Sequence, residues 1–267
     1  MQYLRFITLF RSAPRHLIAL GMAASIALGG AGAATALAAP AHPALPICAR
    51  TDVKCVIAFG DQRIDERTAA LTKLNDKASA QVAAGHITSS QASAIQADVS
   101  TNQSGLTALK SKLDAETDAT AGRQDVKNIY TQFRIFAVVL PRDYHEIVLD
   151  IMTNVQAKLV GLEPKLQQAI ASAPANEQAQ LNSLYSDFTA KLSAASTQIT
   201  NANGMVSYFT PSNFDNNPAT YRTNWLNFRS AELAGRADLR QAASDLHQMA
   251  KILKPSTTPS ATATPTA

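Results

Sequence analysis

Asp114, Glu116, Asp118 and Asp125 stand at the first, third, fifth and twelfth places of a calcium-binding loop of the EF-hand type. The match is poor, because Ala119 occupies the place where glycine makes the sharp turn and glutamate is unusual at the third position. The group reads instead as a solvated acidic helix end before a break at Gly122. His42, His86, His145 and His247 are scattered, and the sequence has no Glu-x-x-His, His-Glu-x-x-His, Cys-x-x-Cys-His or Gly-x-Ser-x-Gly pattern. His145, between Asp143 and Glu146, reads as a first-turn residue of a helix, and His247 with Met152 or Met249 is a weak haem-ligand pattern. The sequence therefore assigns no catalytic residue, no cofactor-binding residue and no metal ligand.

Cys48 and Cys55 are the only cysteines. On one helix they would be about 10.5 Å apart along the axis, whereas a disulfide needs Cα atoms about 4.4 to 6.8 Å apart. A bond between them requires Cys48 on a non-helical lead-in folded back against the first helix, and we expect that bond. Two free thiols are the alternative. Leu45-Pro46-Ile47-Cys48 puts isoleucine where a lipoprotein signal needs a small residue, so Cys48 is not read as a lipidation site.

The oxidising setting that such a bond needs is suggested by the N-terminus. Arg5, Arg11 and Arg15 precede an uncharged stretch from Leu17 to Ala39, with small residues at Ala36 and Ala38, which is the pattern of a secretory signal. Cleavage after Ala38 is expected, with Ala36 the second choice and an uncleaved anchor the alternative. Three of the 24 basic residues and none of the 20 acidic ones lie in 1–38, so 21 basic and 20 acidic residues remain after it. That near balance, with no basic run, argues against a nucleic-acid partner.

The elements are helical. Glycine and proline are sparse between Ile47 and Lys254, and apolar residues recur every three or four positions, so the fold class is all-α. Ile64, Leu71, Leu74, Ala78 and Val82 form one stripe, ended by Gly85, and Thr88 with Gln91 forms a capping box for the next helix. Ile95, Val99, Asn102, Leu106, Leu109 and Leu113 step 4, 3, 4, 3, 4, a heptad seam with an amide at one position. This predicts a long antiparallel coiled-coil hairpin with Asn102 buried at its seam, so that Asn102→Leu would raise stability.

Aromatic residues place a boundary. Phe59 is alone between Cys48 and Asn128, whereas twelve lie from Tyr130 to Phe228. The expected organisation is a signal peptide over 1–38, an extended tether over 39–52, the hairpin over 53–122, a helical bundle over 123–254 and a disordered Pro/Ser/Thr tail over 255–267. The bundle opens on RQDVKNIYTQFRIFAVVLPRDYHEIVLDI from Arg123 to Ile151. Val126, Ile129, Phe133, Phe136 and Leu140 suggest one buried helix, although Ile135 to Leu140 would also suit a short strand. Pro141 is expected to end that helix, with Asp143 and Glu146 capping a new one near Tyr144. Arg134 is expected to extend to water, the alternative being a buried arginine with an acidic partner. Farther on, the pattern predicts a stripe from Ile147 to Ile170 kinked at Pro164, and a helix from Leu181 to Ile199. A long loop over Asn203 to Asn217 and a final helix started by Asn217-Pro218 complete it; there Ala231 and Gly235 would let a neighbour approach.

With its helical pattern and the apolar run around Arg134 to Pro141, the chain resembles uncharacterised exported helical proteins of bacteria, in which a signal peptide precedes coiled-coil helices and a short apolar segment. The resemblance implies an envelope setting and transfers no functional residue. The expected function is that of an exported, non-enzymatic structural or protein-interaction protein of the bacterial cell envelope, localised there or outside the cell. It would bind a protein partner or itself through helix faces. The alternative is a membrane-acting protein similar in outline to α-helical pore-forming toxins, with Ile135 to Leu140 inserting, although that run is short for a bilayer core of about 30 Å. An enzyme is a third class, for which the sequence offers no nucleophile, base or metal set.

Overall fold

In the computed structural model, which describes residues 48–253, helix α1 (Val53–Ala83) begins where the Asp52 carboxylate accepts the Cys55 amide at 3.0 Å. Cys48 lies on the non-helical lead-in and is bonded to Cys55, with Cα atoms 5.6 Å apart. Arg123 fastens the same lead-in by donating to the carbonyls of Cys48, Ala49 and Arg50. The expected signal segment, most of the tether and the Pro/Ser/Thr tail lie outside the described residues. Among the described residues there is no strand, and the fold is all-α.

Gly85 closes α1 with φ at +67°, and the Thr88–Gln91 capping box opens α2 (Ser89–Asp114). Bonds from Gln96 to Ser79, Gln103 to Thr72 and Lys110 to Asp61 run in opposite chain directions, so α1 and α2 are antiparallel. Their stripes face each other, with Ile64, Leu71, Leu74 and Ala78 buried against Ile95, Val99, Leu106 and Leu109. Asn102 departs from the expected role. It is half-buried and donates to the backbone carbonyl and side chain of Asp98 on its own helix.

The first layer does not stop at Gly122. Helix α3 (Ala119–Thr131) starts at Asp118, which caps the Ala121 amide, and packs on α1 and α2 with Gly122 inside it. Ile129 of α3, together with Ile135, Val139, Leu140 and Ile147 beyond it, belongs to the α1–α2 core. Close approach explains two glycines: a Cβ at Gly60 would lie 2.2 Å from Leu113 Cδ2, and one at Gly105 2.6 Å from Phe133 Cε1.

The single helix expected across 126–140 is broken, but before Pro141 and not at it. Helix α3 ends at Thr131, and Arg134 turns the chain with φ at +46°. The Arg134 carbonyl then accepts from the amides of Val138 at 2.8 Å and Val139 at 3.4 Å. That opens a π-helical turn (Ile135–Val139) which runs directly into α4 (Leu140–Val160). Pro141 is the second residue of α4, directly after the π turn, and the helix runs on through it. No new helix starts near Tyr144, and Asp143 is not a cap; it is buried beside Arg142. Ile135, Val138 and Val139 are buried, whereas Phe136 is 42% exposed and Phe133 half-buried.

Helix α4 is the wall between two cores. Leu140 and Ile147 face α1–α2, while Leu149, Met152 and Leu159 face the second core. Gly161 and Leu162 interrupt the expected long stripe, so Pro164 begins α5 (Glu163–Ala171) instead of kinking α4. The second core is built by α6 (Ala175–Val206) and α8 (Pro218–Ile252), whose Phe188, Leu192, Ala195 and Ile199 meet Phe228, Ala231, Leu239 and Ala242. Gly235 permits the approach expected of it, since a Cβ there would lie 3.3 Å from Gln198 Cβ and 2.8 Å from Met152 Cε. The expected loop over Asn203 to Asn217 is mostly helix. Helix α6 continues through Gly204, and α7 (Pro211–Asn216) is capped by the Thr210 hydroxyl accepting from the Asn213 amide. Pro218 starts α8 as expected, but the Asn217 side chain makes no capping bond.

Candidate functional site

The polar chemistry inside the protein gathers along α4, where α2 and α8 reach it from opposite cores. On the α8 side, Glu232 is fully buried and holds three cationic or ionisable partners. Its Oε2 accepts from Arg229 Nη1 at 2.7 Å and lies 2.8 Å from His145 Nδ1; its Oε1 is 3.0 Å from Arg236 Nη2. Arg236 is 5% exposed. Burial pushes the Glu232 carboxyl up, but the bond and charge of His145, with the charges of Arg236 and Arg229, outweigh burial and hold it below its ordinary value. The His145 ring also meets Trp225 edge-on at 5.4 Å and Phe228 at 5.8 Å.

Sequence reading placed His145 in a first helical turn and missed its partner. The available signal was the pair Glu232 and Arg236, one turn apart and each next to a small residue of the buried stripe, Ala231 and Gly235. A carboxylate orienting an imidazole is the arrangement of a general base. Here Arg229 Nη1 lies 2.9 Å from His145 Nδ1, the nitrogen that Glu232 also holds, and 3.2 Å from Nε2, so the imidazole is engaged by both members of the Arg229–Glu232 pair. The arrangement is a buried ionic clamp joining α4 to α8.

On the α2 side, Arg142 bonds Asp98 of α2 through Nη2 and Asp143 Oδ1 through Nε at 2.6 Å, and it approaches the Phe209 carbonyl at 3.5 Å. One and two turns on, Glu146 and Asp150 follow Asp143 on the same side of α4. Gln91 donates to Asp150 at 3.0 Å, and Asn154 donates to Gln91 Oε1 and to the His86 carbonyl, each at 2.9 Å.

A third polar group lies under the π turn. Arg67 of α1 is 4% exposed, donates to the Arg63 carbonyl at 2.8 Å, and lies 4.4 Å from the ring centre of Tyr130 and 5.2 Å from that of Phe136. Burial lowers its pKa. Arg134 does not run free to water as expected; it pairs with Asp215 and lies 5.1 Å from the Phe214 ring centre.

The acidic residues weighed at the sequence level separate. Asp118 caps α3, while Asp125 is buried and bonded to Lys112 at 2.6 Å. Among the described residues no three His, Cys, Asp or Glu side chains are placed to hold a metal ion. His247 is exposed while Met152 and Met249 are fully buried, so that trio does not converge; His42 lies outside the described residues. A shallow groove of about 350 Å³ lies away from the charged groups, lined by Ile170, Gln178, Asn182 and Tyr185 among others. Compared with known proteins, the chain matches no family model, no curated protein and no solved structure.

Proposed function

We propose that this chain is an exported, non-enzymatic structural or protein-interaction protein of the bacterial cell envelope, with α1 and α2 acting as a coiled-coil hairpin. Its helix faces bind a protein partner or a second copy. The observation that carries this reading is where large apolar side chains meet solvent. Leu226 and Leu233, seven residues apart on one side of α8, are 60% and 53% exposed. Two turns of helix separate them, the spacing of a helix-pairing seam. The Cys48–Cys55 bond supports export, since such bonds persist in oxidising compartments.

Photo-crosslinking in cells making the full chain tests it. A photoreactive residue at Leu226 or Leu233 should give a discrete adduct in the envelope fraction, and one at exposed Thr197 of α6 should not. Equal adducts from all three sites, or none from the leucine sites, would overturn the reading. The membrane-acting alternative draws less support, because Ile135, Val138, Val139 and Leu140 are committed to the two cores. No helix among the described residues is long and apolar enough to cross a membrane.

A further inference from the structure

The outer side of α8 carries leucines and one sign of charge. Arg222 stands four residues before Leu226, Arg229 lies three after Leu226 and four before Leu233, and Arg240 follows Leu233 by seven, so all three share the leucines' side of the helix. The acidic residues of α8 are turned away from it. Glu232 is buried against His145 of α4, Asp238 bonds Lys191 of α6 at 3.4 Å, and Asp245 is buried. Arg222 is exposed and, among the described residues, pairs with no acid. Beneath the leucines, Arg229 and Arg236 share the single carboxylate of Glu232, which leaves positive charge there.

The relief of this face suits a helix. Leu226, Ser230, Leu233 and Ala237 step 4, 3, 4 and are all exposed, so large side chains alternate with gaps into which residues of a second helix can insert. A lipid surface needs no such gaps. Nor does the chain supply its own complement. Among the described residues, the other exposed large apolar side chains are Phe136, over Arg67, and Val160, near Lys158. The segments 39–47 and 254–267 contain no acidic residue. Two copies joined through α8 would set Arg222 against Arg222 if parallel, and Arg229 beside Arg229 if antiparallel about the leucines, and like charges so placed repel.

We propose that the outer face of α8 takes an acidic amphipathic helix of a different protein. Apolar residues of that helix interleave with Leu226 and Leu233, and its carboxylates meet Arg222 and the arginine excess around Glu232. This rests on the helix-pairing reading of the two leucines and adds the chemistry of the partner.

Fluorescence anisotropy of the full chain with two labelled synthetic helices tests it. Both helices carry leucine at the a and d positions, and they differ in having glutamate or lysine at every flanking position. The glutamate helix should bind at least about tenfold more tightly at low salt, since each exposed pair formed or opposed is worth up to about fivefold, and the preference should shrink as salt is added. Leu233→Ser should abolish binding, and Arg222→Glu should cut the preference; both positions are exposed, so thermal melting should be unchanged. Equal binding of the two helices that Leu233→Ser removes, or a preference that Arg222→Glu leaves intact, would overturn the acidic partner while keeping the helix-pairing face. Binding of neither helix, or binding indifferent to Leu233→Ser, would overturn both. Flotation on phosphatidylglycerol vesicles without binding of the glutamate helix would assign the face to lipid, and a sedimenting dimer lost in Leu233→Ser would assign it to a second copy; either result overturns the proposal.

Discussion

Arg134 holds Asp215 across 81 residues of chain while its own backbone sits at φ +46°, so one residue both ends α3 and ties the π turn to α7. Left-handed backbone at a residue with a side chain is strained by about 1 to 2 kcal/mol, and a partly exposed ion pair returns about 0 to 1 kcal/mol. Arg134→Gly should therefore be close to neutral, because it removes both terms. Arg134→Val should be less stable than Arg134→Gly by roughly 2 kcal/mol, since a β-branched residue is a poorer fit to positive φ. Urea denaturation of the two variants measures the difference.

Glu232→Gln should be among the most damaging single substitutions. It leaves Arg229, Arg236 and His145 around a neutral amide in the interior, and breaking a buried ionic cluster from one side costs about 3 to 5 kcal/mol. The sign with pH follows from the lowered Glu232 carboxyl: its contribution is present above the ordinary glutamate range and is lost as pH falls through the folded value. The gap between wild type and Glu232→Gln in chemical denaturation should narrow on acidification below about pH 4.

Phe209 and Phe136 should respond oppositely to truncation. Phe209 is fully buried and meets Tyr221, Trp225 and Phe228 with ring centres 5.0 to 5.4 Å apart, so Phe209→Ala should lose about 3 to 5 kcal/mol. Phe136→Ala, at a 42% exposed position, should lose less than about 1.5 kcal/mol, most of it contact with Arg67. Thermal melts of the pair check the ordering.

Glycine-to-alanine changes should split by location. Gly204 has open space around its missing Cβ, so Gly204→Ala should stabilise by up to about 1 kcal/mol through helix propensity. Gly60→Ala drives a methyl into fully buried Leu113 and should destabilise by about 1 to 3 kcal/mol in spite of the same propensity gain. Denaturation midpoints give the two signs.

Asn102→Leu is expected to lower stability by about 1 kcal/mol, opposite to the coiled-coil expectation, because it removes the donor that holds Asp98 while freeing no buried seam position. Differential scanning calorimetry decides the sign.

Local signals in the sequence were read well where they act within one turn. Gly85, the Thr88–Gln91 box, Pro218 and the Cys48–Cys55 bond follow from backbone geometry over a few residues. So do the α1 and α2 stripes, because a helix buries every third or fourth residue whatever its partner. The break at Arg134 escaped the same reading because it uses left-handed backbone at a residue type that carries no such signal; Asp215, which holds its side chain, is far away in the chain. Pro141 drew the boundary to itself, yet the π turn before it leads straight into α4 and the helix continues through the proline.

The charged interior was the least legible part. Periodicity assigns polar residues outward, and Glu232, Arg236, Asp143 and Asp125 are all buried. Two of them have a partner that no spacing rule links to them, Glu232 in His145 and Asp125 in Lys112, whereas Arg236 pairs with Glu232 one turn away and Asp143 with adjacent Arg142. Phe136 failed in the other direction, since an apolar residue on the predicted stripe was turned outward when the π turn changed the angular step between neighbours.

Helix α4 has two inward sides and almost no outer one: from Leu140 to Gln156 none of its residues is exposed. Most helices tolerate an inserted residue poorly on one side and well on the other, but α4 has no side on which to absorb one. A single insertion after Tyr144 would rotate everything that follows by about 100°, carrying Ile147 off the first core and Leu149 and Met152 off the second. The reading frame of the architecture is therefore kept by this helix. Length changes in the chain should be found in the connections at 115–118 and 207–210, and substitutions within α4 should have to preserve shape and charge towards both neighbours at once.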